Sequence, residues 1–117
     1  MQDVFTERTI RAAGSDLNVA DGPRHGPPLW LLHGLGRRWQ DFTPILPDLC
    51  ARWSVSAIDH RGHGRSSRAG GRYLVTDYVA DAVSLVRGSA DPAVLVGHSL
   101  GALVALGVAG KVPTMVQ

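Results

Sequence analysis

Residues 93–110 are almost continuously apolar and are interrupted at one point by Gly97-His98-Ser99-Leu100-Gly101. The stretch has the length of a membrane span. The polar break and the four glycines inside it favour another arrangement, a buried strand at 93–96, a sharp turn, and a buried helix at 100–109. A serine with glycine two positions to either side, set between a strand and a helix, points to one backbone shape. The chain must reverse tightly and thrust the serine side chain out above the sheet. Such a serine adopts a strained conformation. Side chains at 97 and 101 would collide with the neighbouring strand and helix, so glycine stands there. Ser99 then lies at a helix amino terminus, where backbone N–H groups and the helix dipole favour developing negative charge. The plainer alternative is an ordinary strand–helix turn with a capping serine.

Elements alternate along the rest of the chain. Residues 5–12 and 17–20 read as two strands with no helix between them, an antiparallel pair, and Asp21-Gly22-Pro23 ends the second with turn chemistry. Residues 29–32 are a short apolar run, as expected for a strand covered on both faces, and residues 55–58 read as another buried strand. Residues 41–50 form a helix made irregular by Pro44 and Pro47. Residues 76–87 form the best helix, with Val75, Tyr78, Val79, Ala82, Val83 and Val86 on one side, Asp77, Asp81 and Ser84 on the other, and Thr76 as cap. The pattern predicts an α/β fold, a mostly parallel sheet with helices on both faces. In such sheets ligands sit at the carboxyl ends of the strands. His33-Gly34, Asp59-His60 and Gly97-His98-Ser99 each follow a strand and fall at that edge.

His33-Gly34-Leu35-Gly36 supplies a second element of acyl-transfer chemistry, which needs two N–H donors aimed at an oxyanion. The Leu35 amide is one candidate, with Gly34 and Gly36 letting the backbone bend toward the site. The Leu100 amide, next after the serine, is the other. Asp59-His60-Arg61-Gly62-His63-Gly64-Arg65-Ser66 reads as a tight structural loop. A phosphate cradle would need a third glycine and a lysine there.

Taken in order, His33-Gly34-Leu35-Gly36, Asp41-Phe42, the 59–66 segment and Gly97-His98-Ser99-Leu100-Gly101 resemble the α/β-hydrolase fold family. The likeness is to its small-molecule esterases, enol-lactonases, carbon–carbon bond hydrolases and cofactor-free haloperoxidases, and it runs from Phe5 to about Gly110. It implies a serine hydrolase acting on an ester, lactone or related acyl substrate. Ser99 is then the nucleophile, and the Leu35 and Leu100 amides form the oxyanion hole. His33, Gly34, Gly36, His98, Gly97, Gly101 and Asp59 become pocket or framework positions.

The family's triad runs serine, acid, histidine in chain order. The 18 residues after Ser99 hold no Asp, Glu or His. Residues 1–117 are therefore expected to form the amino-terminal portion of one such domain, its first five strands. The later strands, the cap and two triad members fall outside it, and turnover by these residues alone is expected to be weak. Of the histidines further up the chain, His25 lies in a turn and His33 and His98 flank the serine. His60 and His63 sit on the neighbouring loop, so none is a strong candidate base. The alternative reading is a non-catalytic remnant or interaction module that uses an open, apolar sheet edge beside residues 93–96 to self-associate. Net charge is +2, and Arg37, Arg38, Arg61, Arg65, Arg68 and Arg72 lack interleaved aromatics, so they read as solvated loop charge rather than a nucleic-acid surface. Cys50 reads as a buried, inert thiol. The first five residues show no secretory signal. A cytoplasmic chain with no cofactor, no metal and no membrane partner is the resulting expectation.

Overall fold

The computed structural model describes residues 5–117; residues 1–4, on which most of the no-signal reading rests, lie outside it. Five strands form one mixed sheet in the order β1-β2-β4-β3-β5. They are β1 (Thr6–Ala12), β2 (Ser15–Asp21), β3 (Pro28–Leu32), β4 (Ser54–Ile58) and β5 (Val94–Gly97). β1 and β2 pair antiparallel, as do β2 and β4, while β3 lies parallel to both β4 and β5. The predicted strand pattern holds, with β1 one residue shorter, β2 three residues longer, β3 and β4 each one residue longer, and β5 shifted by one.

The apolar runs explain the layering. Side chains alternate across a strand. In β3, Leu29 and Leu31 therefore enter a cluster with Phe5, Trp39, Leu46 and Val55. Trp30 and Leu32 enter the opposite cluster with Ile58, Tyr78, Ala82, Leu85 and Val104. The first face is covered by a 3-10 turn (Trp39–Ile45) and the short helix α1 (Leu46–Cys50), and Pro44 inside that segment accounts for its irregularity. The second face is covered by α2 (Val75–Val86) and α3 (Leu100–Lys111). Cys50 is buried, and loss of hydration pushes its thiol above the usual range. No helix among the described residues is long and apolar enough to cross a membrane.

Five expectations need correction. Leu74, not Thr76, caps α2, and its N–H donates to the Asp77 carboxylate at 2.9 Å. Val75 is exposed, because it precedes the first full turn that faces the sheet. α3 is not buried all round. Gly101, Val104 and Val108 face the sheet and α2, whereas Leu103 and Leu106 are 55% and 71% exposed. An all-apolar helix pattern cannot say which side is covered, and here β3, β5 and α2 cover only one. The edge beside β5 is not wholly open, since Ala93 forms a parallel bridge with Val116, the Ala93 amide donating to the Met115 carbonyl at 2.9 Å.

The fifth correction concerns Arg61 and Asp81. Their sequence context puts both on solvated surfaces, yet the two side chains are 5% and 1% exposed and joined by two hydrogen bonds of 2.7 Å. Asp81 lies three residues after Tyr78 and four before Leu85, both buried, so helical geometry puts it on the covered side. Burial holds its carboxyl above the usual range, while the Arg61 guanidinium pulls it back down.

Candidate active site

Ser99 sits between β5 and α3 with φ +56° and ψ −114°, one of two non-glycine residues with positive φ among those described. Such backbone is strained for an L-residue and persists only where its surroundings impose it. The imposition comes from close packing at the two glycines. A Cβ on Gly101 would stand 1.9 Å from the Leu32 carbonyl oxygen, and one on Gly97 would stand 2.2 Å from the Gly101 oxygen. β5 and the first turn of α3 therefore fit against β3 only without side chains at these positions. Ser99 is exposed, and its side chain makes no capping bond to α3.

The register gathers the three motifs. Leu32 pairs with Ile58 on one side and with Gly97 on the other, so His33, Asp59 and His98 leave the sheet at one level. A Cβ built on Gly34 would lie 3.4 Å from the Ser99 Cβ and 3.0 Å from His98 Nδ1, which puts the loop after β3 against the serine. In that loop the Arg37 amide donates to the Gly34 carbonyl at 3.1 Å, and Gly36 has φ +76°. These are the marks of a type II turn, whose third position needs glycine. Leu35 takes its corner, with an exposed side chain. Among the described residues, neither the Leu35 nor the Leu100 N–H donates to a protein acceptor. Beside Gly34 opens a cleft of about 410 Å³ lined by Arg37, Phe42, Ile45 and His98. A larger cavity of about 530 Å³ touches Pro28 and Ser54, which begin β3 and β4, and so lies at the opposite end of the sheet.

The histidines form a network that the sequence reading missed. The His60 amide donates to His33 Nε2 at 2.9 Å, so His33 carries its proton on Nδ1, which donates to the Gly34 carbonyl at 2.7 Å. His60 Nε2–H donates to the His33 carbonyl at 2.9 Å. The Gly36 amide donates to His63 Nε2, and His63 Nδ1–H to the Arg61 carbonyl, both at 2.9 Å. His25 lies at the other end of the sheet, its Nε2 against the Ala51 carbonyl. Asp59, fully buried, accepts from the Trp39 amide at 2.8 Å and from the Arg65 amide and Asn18 side chain at 3.0 Å, tying three segments together. Its oxygens face these donors.

Burial keeps His33 and His60 neutral. It lowers His33 below the usual imidazole range, and pushes His60 down to about 3 with the neighbouring His33 adding to it. A histidine whose folded pKa is depressed binds its proton more readily in the unfolded chain. Its contribution to stability is then intact above pH 6.5 and lost as pH falls toward 3. The chain is expected to lose roughly 4 kcal/mol between these limits through His60, whose pKa is lowered from 6.5 to about 3. Urea midpoints measured from pH 7 to 3.5 read the loss, and a flat profile would contradict it.

Residues 31–116 match the sequence profile of the Alpha/beta hydrolase family. The chain is 35% identical over 116 residues to the 2-(acetamidomethylene)succinate hydrolase of Mesorhizobium japonicum, spanning 98% of this chain and 41% of that protein. It is 38% identical over 105 residues to Epoxide hydrolase B of Mycobacterium tuberculosis, spanning 84% of this chain and 30% of that one. The crystal structure of E-2-(acetamidomethylene)succinate hydrolase superposes with a TM-score of 0.86 at 34% identity, over 96% of this chain and 42% of that one. The chain thus spans about two fifths or less of the length of these proteins.

Proposed function

Because this chain belongs to the alpha/beta hydrolase family, we propose that it carries the nucleophile and the oxyanion hole of a serine hydrolase acting on an ester, lactone or related acyl substrate. The observation that supports this most is the exposed, strained Ser99, set beside two uncommitted amides, Leu35 and Leu100. In the proposed reaction Ser99 Oγ attacks the acyl carbon as its proton passes to a general base. The carbonyl π electrons move onto oxygen, and the Leu35 and Leu100 N–H groups hold that oxyanion. Collapse of the tetrahedral intermediate expels the leaving group and leaves an acyl-serine, which water then hydrolyses.

His33 uses both ring nitrogens in the fold, as does His63, and His60 is buried. Their ring nitrogens serve the fold rather than the serine. We assign the base, and the acid that orients it, to the part of the relatives' length that this chain does not span, where the family's serine, acid, histidine chain order puts them. The 410 Å³ cleft beside Gly34 suits a small acyl or leaving group, with Phe42 and Ile45 as its apolar contacts. The likeness to hydrolases of a substituted succinate and of an epoxide leaves small, functionalised substrates as the class to screen first.

The test is covalent labelling. The natural protein, treated with a fluorophosphonate, gains the phosphonyl mass on the peptide holding Ser99, and Ser99→Ala gains none. Turnover of a p-nitrophenyl ester falls about 10³-fold or more in that variant. Equal labelling of both proteins would remove the assignment.

A further inference from the structure

We propose that His63 is a positioning residue for the oxyanion loop, its imidazole tying the Gly36 amide to the Arg61 carbonyl so that the Leu35 N–H is held toward Ser99. The proposal rests on the serine-hydrolase reading of the same site. Two hydrogen bonds carry it, Gly36 N–H to Nε2 and Nδ1–H to the Arg61 oxygen, both 2.9 Å. They bridge the turn after β3 and the loop after β4, which no backbone hydrogen bond joins at this point. The imidazole has little freedom to leave. The His63 amide donates to the His60 carbonyl, and the His63 carbonyl accepts from the Ser66 amide, each at 2.9 Å, so two successive turns fix its backbone.

The link acts on the residue that matters. In residues 34–37 the first carbonyl is held by the Arg37 amide and His33 Nδ1, and the Gly36 amide by His63. Leu35 lies between these two anchors. Its backbone has no other tether among the described residues, and its side chain is 70% exposed. With the Gly36 end released, the corner of the turn can rotate, and an amide aimed at an oxyanion loses its value over about 1 Å. Removing a single oxyanion donor costs about 10²–10³ in kcat, which bounds the effect of misplacing one.

The task requires an acceptor facing Gly36 and a donor facing Arg61. A glutamine amide offers both, while leucine offers neither. The experiment measures kcat and KM of the natural protein with a p-nitrophenyl ester, beside fluorophosphonate labelling of Ser99. His63→Leu is expected to lower kcat about 10- to 100-fold with KM within threefold, and to slow labelling in parallel. His63→Gln is expected to keep kcat within about fivefold. A leucine variant that folds and retains kcat overturns the proposal, as does a glutamine variant as slow as leucine. Should the leucine variant fail to fold, a through-hydrogen-bond coupling between the Gly36 amide and His63 Nε2 is sought by NMR in the unmodified protein. Its absence also overturns the proposal. Failure of the underlying reading shows separately, as wild-type protein that takes no label at Ser99.

Discussion

Gly101→Ala is expected to destabilise the chain by about 3 kcal/mol, although alanine is the better helix former by about 1 kcal/mol. Two effects oppose each other here. Gly101 is the second residue of α3, and helix propensity favours the substitution. Its Cβ would stand 1.9 Å from the Leu32 carbonyl oxygen and 2.9 Å from that of His33, both backbone atoms that cannot rotate aside. Either α3 lifts from the sheet or β3 shifts, and each strips packing from Val104 and Val108, which are fully buried. The clash therefore outweighs the propensity. Gly110 in the same helix is the control, since a Cβ there meets nothing within 4 Å. Gly110→Ala should be neutral or stabilising by up to about 1 kcal/mol. Urea denaturation of the two variants side by side is decisive, and equal midpoints would refute the packing account.

Asp81→Ala is expected to cost about 3–5 kcal/mol, because it strands a guanidinium in a site that is 5% exposed. Arg61 would keep its hydrogen bond to the Arg72 carbonyl at 3.0 Å, but its charge would have no partner. Arg61→Met should cost a similar amount with a different pH dependence. Burial already holds the Asp81 carboxyl above its usual range, and losing Arg61 removes the largest influence pulling it down. A carboxyl with a raised folded pKa counts against folding at pH above its unfolded value, and ceases to as pH falls below it. The deficit of Arg61→Met relative to wild type should therefore shrink on acidification, whereas that of Asp81→Ala should not, since arginine stays charged throughout. The double variant Arg61→Met/Asp81→Leu should recover most of the loss. Thermal melts at pH 7 and 4.5 distinguish these outcomes, and a double variant no better than the worse single variant would contradict the charge argument.

Local physics was readable in the residues themselves. Short, nearly continuous apolar runs bounded by turn residues marked the strands buried on both faces, and Pro44 marked the irregular segment before α1. Gly97 signalled the strained turn at Ser99 locally, since a Cβ there would meet the oxygen of Gly101 four residues on, whereas the exclusion at Gly101, by the Leu32 and His33 carbonyls, arises only once β3 lies alongside. Gly36 likewise signalled a turn, which its positive φ and the Arg37 amide bond to the Gly34 carbonyl close within four residues. These features depend on neighbours within a few residues, so spacing carries the information.

Tertiary structure alone decided which distant groups meet. Arg61 finds Asp81 twenty residues on, the Gly36 amide finds His63 across two loops, and the Trp39 amide finds Asp59. Nothing in the spacing of these residues says that the loops after β3 and β4 face each other; the register of Leu32 against Ile58 does. The exposed side of α3 was equally illegible, because a helix apolar all round has no polar stripe to mark the face that its neighbours leave bare. Short-range sterics are written into the chain order, whereas long-range pairing of charges and imidazoles exists only once the sheet has brought the loops together.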